Sequence, residues 1–403
     1  MLHYILCNMK RKKRRGMVTV GVSIFLVLLL NLYFENIRSY RQQLEDLSKN
    51  IPVFCRVTDA SGSSDNDIAI PAEIVDVLQN SVYVKELSLS HWLAAGIEDF
   101  PMEEWKAHTI YFPVGVNRVE AVPGMEADNI SLSEEEQKEF FGTDERVCIV
   151  DESAMKENEW EIGDVVPLNL IRYIYTTHEI RSEMMGVEEF KIIGTMDEMF
   201  AATAGIYPDM LLPLGTVRDI LSRKQVPFTA NSASFYVADP LNLDAFKEEM
   251  KAAGMAEQSA DSMFSYTGNA LSVDDEMFVS FANHLRQSID ILNAFFPIIC
   301  AVVLIIGYVV SYLLCSSRQW EFALFRAIGQ HTHEVVRMFW TEQFFLALAG
   351  NAAGSLAALL FAGNLSVALT VNGVVLVSYL IGCAAALWRM GRRNAMQLLF
   401  MQN

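Results

Sequence analysis

Three long stretches of this 403-residue chain contain no charged side chain: Met17–Phe34, Ile291–Ser317 and Gln343–Trp388. Runs of that length do not belong to an ordinary soluble domain. Other absences exclude activities. There is no Gly-x-x-x-x-Gly-Lys-Ser/Thr loop, so the chain is not expected to hydrolyse ATP itself. No Ser or Cys sits in a recognisable nucleophile motif, and no catalytic residue is assigned. "HEVVR", 333–337, begins like a zinc-protease helix, but Arg337 stands where the second histidine is needed. His331 and His333 are expected on different sides of a helix, in a solvated loop, and make a poor metal pair. "DASGSSDNDIA", 59–69, lacks the ligand spacing of a calcium loop and reads as a flexible connection. The uncharged windows carry no acid, base or histidine, which argues against an ion or proton carrier.

What is present points to a membrane. A spanning helix needs about 20 mostly apolar residues. The first two windows each fit one. The third, as one helix, would run to about 70 Å at 1.5 Å per residue, more than twice a bilayer core. It is expected to be two helices, broken at Gly363-Asn364. The spans fall at 17–34, 292–314, 342–362 and 367–388. No small-x-small site follows the first window, so it is read as an anchor, with a cleaved signal peptide as the rival reading. The fold class is a membrane protein of four transmembrane α-helices with a large α+β extracytoplasmic domain between spans 1 and 2.

Positive flanks stay cytoplasmic. "KRKKRR" lies in the N-terminal segment 1–16, and "RMGRRN" opens the tail 389–403, so both termini are placed inside. Residues 35–290 are then outside, and 315–341 form a cytoplasmic loop. The inner pieces hold 12 basic against three acidic residues and the outer segment 19 against 46, an asymmetry hidden in the net charge of −18. An acidic exterior can attract cationic ligands or simply be a solvated face.

The outer segment is long enough for its own core. β-rich runs occur at "RVCIV" 146–150, "FKIIGTM" 190–196 and "ASFYVAD" 233–239, the last followed by a helical pattern ending at Gly254. Cys55 and Cys148 are the two outer cysteines, and a disulfide or two buried thiols both fit. Beyond span 1, Leu30, Tyr33, Ile37, Tyr40, Leu44, Leu47 and Ile51 follow steps of three and four, a heptad seam. Phe278, Phe281, Leu285, Ile289, Leu292 and Phe296 lead into span 2 with a similar rhythm. Stalk helices are expected at 35–51 and 274–291, with ordinary amphipathic helices of the outer domain as the alternative. A stiff stalk carries displacement that a flexible linker would absorb.

"SSRQWEFALFRAIGQ", 316–330, is too charged for the bilayer and too apolar for water. It reads as a short helix at the cytoplasmic face. Trp320, Ala323, Leu324, Ala327 and Ile328 are expected to rest on the membrane or bundle, Phe322 and Phe325 to meet a protein partner, and Gly329 to end the helix. Gly350 and Gly354 in "GNAAG" are expected to pack a helix closely, within the chain or in a dimer.

The block "SRQWEFALFRAIGQHTHEVVRMFWTEQFFLALAGNAAGS" resembles that of FtsX/MacB-type ABC transporter permeases, through Arg318, Glu321, Arg326, Ala327, Ile328, Gly329, Glu342, Gly350 and Gly354. "VCIVDESAMKENEWEIGDVVPL", 147–168, and "FKIIGTM" resemble that family's outer domain, and "RRNAMQLL" its closing motif, with Ala395 where proline is usual. The resemblance implies a permease without a cofactor of its own, since ATP and Mg are bound by a separate cytoplasmic ABC subunit. A second permease copy or homologue, and an extracytoplasmic accessory protein, are further partners it admits; nucleic acid is not among them. It implies that Arg318, Glu321 and Arg326 set register on the ATPase and that Trp320–Gly329 is the coupling helix. Many members transmit motion, and the cargo is left open: lipid, lipoprotein, peptide or antibiotic. The location it implies is a bacterial plasma membrane, and the rival reading is an ATPase-independent membrane sensor or scaffold with an extracellular binding domain.

Overall fold

The computed structural model describes residues 13–97, 101, 104, 108–176, 179–197, 207–259, 261–362 and 365–391. Lys10–Lys12, Cys7, the Gly363-Asn364 break and the tail from Arg392, including Ala395, lie outside the described residues. In chain order the first elements are α1 (Lys13–Asn50), β1 (Phe54–Asp59), β2 (Ile70–Pro71), α2 (Ala72–Asn80), β3 (Val84–Gly96) and β4 (Pro113–Val116). Next come α3 (Glu134–Gly142), β5 (Val147–Asp151), α4 (Glu152–Glu157), β6 (Val165–Tyr175), β7 (Ile180–Met196) and β8 (Met210–Pro213). α5 (Leu214–Arg223), β9 (Thr229–Ala230), β10 (Ser232–Val237), α6 (Leu243–Ala252), β11 (Ala256–Glu257) and β12 (Gly268–Asp274) follow. The chain ends in four helices: α7 (Glu276–Ser316), α8 (Gln319–Ala327), α9 (Thr332–Ala362) and α10 (Leu365–Gly391). These elements divide into two units, Ser48–Val279 and the rest.

The first unit is built on a ten-stranded sheet. The long strand β3 organises it. Its first half pairs with β10, its middle with β4, and residues 93–96 with β6. The β3–β6 pairing closes six strands, β3-β4-β8-β5-β7-β6, into a ring. Alternate side chains of these strands point inward. Leu93, Val150, Leu168, Leu170, Phe190 and Leu212 fill the ring with Val217, Ile220 and Leu221 of α5. The other face of the same strands, with Ile149 and Leu211, packs on Phe140 of α3. β10, β1, β12 and β11 extend the sheet beyond the ring.

Two expectations are decided here. Cys148 lies in the ring core and Cys55 on β1, outside it, and both are free, buried thiols. Burial pushes each thiol up to about 12, which makes them unreactive. The acidic loop after β1 is not a loose connection: Asp59 is fully buried and accepts hydrogen bonds from the Ser61 and Ser64 amides at 3.1 and 3.0 Å. A short polar side chain folding the backbone around itself makes an ordered turn.

The second unit holds the four apolar helices, each long and apolar enough to cross a membrane. Hydrocarbon offers backbone groups no partner, so a helix is the form these windows must take. α1 and α7 extend past their windows. Their 38 and 41 residues reach about 57 and 62 Å, well beyond a ~30 Å hydrocarbon core. α7 continues through Pro297, which deprives the Asn293 carbonyl of its helical donor. Each helix buries one stripe and exposes another of Phe25, Leu32, Ile305, Leu313, Leu360 or Ile381. Such a belt would aggregate in water and is solvated by lipid tails.

Pairwise contacts give the helix directions. α9 and α10 run antiparallel: Phe339 shares a cluster with Leu387, and Asn351 donates to the Asn372 carbonyl at 3.4 Å. α1 and α7 are also antiparallel, with Phe34 and Phe296 edge-to-face at 5.5 Å and the Tyr33 hydroxyl donating to the Leu292 carbonyl. Leu26, Val27 and Leu30 meet Val303, Val371 and Val375 in the core they share. The Gln343 side-chain oxygen accepts from the Thr19 and Tyr379 hydroxyls at 3.5 and 3.3 Å, tying three helices at one polar point.

Candidate functional site

The segment 316–330 folds as the short helix α8 between α7 and α9, and Phe322 and Phe325, expected to be exposed to a partner, turn inward instead. Phe322 is fully buried and Phe325 partly so, whereas Trp320, Leu324 and Ile328 are 52, 43 and 72% exposed. Ala323, expected inward, is buried. Phe322 packs at 5.8 Å on Phe339 and joins Val335, Met338, Cys383 and Leu387 in one cluster, so α8 is fastened to α9 and α10.

The physical cause is Arg318. It is not a surface charge: only 7% of its side chain is exposed. Its Nη1 donates to both carboxylate oxygens of Glu342 at 2.8 Å, and its Nε to Glu321 at 2.9 Å. Its guanidinium also lies 4.5 Å from the Phe339 ring centre, a cation–π contact. A planar fork that serves two carboxylates is something arginine offers and lysine does not. Phe322 lies four residues on, one turn up the same face. Burying Arg318 against Glu342 therefore carries Phe322 inward and leaves Trp320, Leu324 and Ile328, at i, i+4 and i+8, outside. Arg326 is half-buried. The Ala327 side chain lies outside the description.

Gly329 ends α8 as expected, at φ +95°. Its amide bonds the Arg326 carbonyl and that of Gln330 bonds the Phe325 carbonyl, each at 3.1 Å, the paired closure of a Schellman motif. His331, just before α9, is not on the helix, so its ring stacks on His333 at 5.5 Å instead of facing away. No metal-holding cluster occurs among the described residues.

Gly350 and Gly354 face α1 of the same chain. A β-carbon on Gly350 would lie 2.6 Å from Ser23 Cβ, and one on Gly354 3.0 Å from Val27 Cβ. The sequence reading missed the matching contact between α7 and α10. A β-carbon on Gly382 would lie 2.6 Å from the Tyr308 amide nitrogen, and one on Gly307 3.0 Å from Tyr379 Cα. Both close contacts bring together helices running the same way, so α1 and α9 point one way and α7 and α10 the other.

In the stalks, Ile37 is buried and Tyr40, Leu44 and Leu47 are half-buried, while Arg38, Arg41, Gln43, Glu45 and Asp46 between them are exposed. Near the start of α7, Phe278 is buried and Leu285 half-buried, but Phe281 is 54% exposed and Ala282 takes its place. The stripe 278, 282, 285, 289, 292 keeps the four-three rhythm. An apolar ring at 281 masked it, because two neighbouring positions both fitted the spacing.

Residues 293–395 match the FtsX-like permease C-terminal family. This C-terminal stretch, which holds α8, α9 and α10, is similar to the FtsX-like permeases. With four helices long and apolar enough to cross a bilayer, the match fits a multi-pass membrane protein. No curated protein matches the chain. Among solved structures, the periplasmic region of MacB from Actinobacillus actinomycetemcomitans is 14% identical, covering 59% of this chain and 92% of that one, at a TM-score of 0.31. A domain ascribed to a permease of Porphyromonas gingivalis is also 14% identical, covering 50% and 80%, at 0.30. Scores that low do not establish a shared arrangement. The buried Arg318–Glu342 pair sits inside the matched region. It had a legible signal: a basic residue directly follows one uncharged window and an acidic residue directly precedes the next, so the two sit at the same end of the bundle.

Proposed function

We propose that this chain is the permease subunit of an ABC transporter, driven by a separate cytoplasmic ATP-binding subunit that docks on α8. The permease itself holds no nucleotide; ATP and Mg belong to the partner. The observation that carries this reading is the build of α8: clamped inward by Arg318 and Phe322, it presents Trp320, Leu324 and Ile328 to whatever lies beyond. A docking helix needs both properties, an apolar anchor for the partner and a rigid root, because a loose root would dissipate the push. The anchors are thus proposed to be these three residues in place of Phe322 and Phe325.

From α8, displacement passes to α9 through the ion pair and to α7 through the two-residue joint Ser317–Arg318. α1 and α7 continue past the apolar windows as unbroken helices, which supports transmission of motion to residues 48–279. Both termini lie in the cytoplasm of a bacterial plasma membrane, with export or extraction of a lipid, lipoprotein, peptide or antibiotic as the work done. The alternating helix directions and the inner excess of basic residues support this orientation. A second permease copy completes the assembly, and an outer accessory protein is compatible with it.

The test is co-purification with the ABC ATP-binding subunits of the same cell. Leu324→Asp, at an exposed site, is expected to abolish capture without lowering the yield of folded permease. Retention of the ATPase by that variant, or no ATPase captured by the parent, sinks the proposal.

A further inference from the structure

Beside the Phe322 cluster, which Val336 and Trp340 flank, α9 and α10 enclose a groove of about 870 Å³. Its walls are Val336, Trp340 and Trp388, and Ala384 and Ala385 leave its floor low. Thr332, His333 and Arg337 line its other end. The groove is therefore amphipathic lengthwise: apolar beside the uncharged windows, cationic at the end of the bundle. Three features converge on that end. Arg337 forms no ion pair among the described residues, His333 is exposed beside it, and the 31-residue α9 begins at Thr332, with the positive end of its dipole there. Glu334, three residues before Arg337 and its neighbour on the helix surface, forms no ion pair with it among the described residues and does not line the groove. Two tryptophans at the junction of apolar and charged surface are what a bilayer interface selects.

The geometry points to a binding site for an anionic phospholipid, taken from the leaflet at this end of the bundle. The headgroup phosphate sits at Arg337, His333 and the start of α9; the upper acyl chains lie between Trp340 and Trp388. Charge complementarity selects the occupant: a zwitterionic lipid brings its own cation to the phosphate and gains less from Arg337, and a soluble phosphate has nothing to place on the tryptophans. The site shares α9 and α10 with the cluster that fastens α8, Val335 against Val336 and Leu387 against Trp388, so an occupied groove stiffens the root of the docking helix. The inference needs the four helices to lie in a bilayer, and it does not depend on an ATPase.

The experiment uses the full chain in vesicles of zwitterionic phosphatidylcholine containing dibrominated phosphatidylglycerol or, in parallel, dibrominated phosphatidylcholine. Bromine quenches tryptophan on contact. We expect the anionic probe to quench more strongly at equal mole fraction. The excess should vanish when Trp340 and Trp388 are both replaced by phenylalanine. Arg337→Gln should lower the preference about fivefold, the effect of one cationic side chain at a membrane surface, and Arg337→Lys should retain most of it. High salt should weaken it in the parent. Equal quenching by the two probes overturns the proposal. So does a preference that survives Arg337→Gln, or one that survives the replacement of both tryptophans. Unchanged circular dichroism and gel-filtration profiles of the three variants exclude misfolding as the cause of a loss.

Discussion

Removing one half of the Arg318–Glu342 pair should cost more than removing both. The two side chains are 7% and 10% exposed, and Glu342 takes two 2.8 Å bonds from Arg318. In Arg318→Ala the carboxylates of Glu342 and Glu321 lose their shared cation, and Glu342 stays buried. Deleting one member of a buried pair costs about 3–5 kcal/mol, most of it the stranded charge. Replacing both, as Arg318→Met with Glu342→Leu, removes the charge together with its cost, and the loss should fall to about 1 kcal/mol or less. Run with Arg318→Met and Glu342→Leu as the singles, the double-mutant cycle then gives a coupling energy of about 5 kcal/mol or more, the two single losses less the double one. Arg318→Lys should fall between, because a single ammonium cannot span Glu342 and Glu321 together. The assay is SDS- or urea-induced unfolding of the detergent-solubilised chain, followed by tryptophan fluorescence. If Arg318→Ala costs less than about 1 kcal/mol, or if the two single losses simply add, the pair is a surface contact and the rigid-root account of α8 fails.

Three further outcomes test other parts of the molecule. Gly382→Ala should destabilise by about 1–3 kcal/mol, because its β-carbon meets the backbone of α7 at 2.6 Å, whereas Gly373→Ala in the same helix, with nothing within 4 Å, should be neutral or slightly stabilising. Gly329→Ala should cost about 1–2 kcal/mol in the same unfolding assay, since φ +95° is unfavourable for any β-carbon, although nothing obstructs it sterically. His91 in β3 is buried, its Nδ1 donating to the Thr229 carbonyl at 2.6 Å; burial and then Arg172 hold its pKa down to about 4 from 6.5, against that hydrogen bond. The unfolded chain takes up a proton below pH 6.5 that the folded one refuses, so stability is full above pH 6.5 and falls towards pH 4, by at most about 3 kcal/mol. Thermal melts between pH 4.5 and 7.5 should show that slope, and His91→Gln should flatten it.

The uncharged windows alone determined four apolar helices, because hydrocarbon leaves a backbone no other way to satisfy its polar groups. Local spacing likewise determined the heptad stripe from Ile37 to Leu47 and the stop at Gly329, since each depends on neighbours within two turns. What the tertiary structure decided was always a choice between two faces or two partners. α8 is apolar on both sides, and only Arg318 reaching across to Glu342 settled that Phe322 goes in and Leu324 stays out. Gly350 and Gly354 announced a close contact without naming α1. Cys55 and Cys148 stay apart because β3 pairs with β6 and closes the ring around one of them. Periodicity fixes which residues share a face; what covers the face is fixed by contacts distant in sequence, which no local pattern encodes.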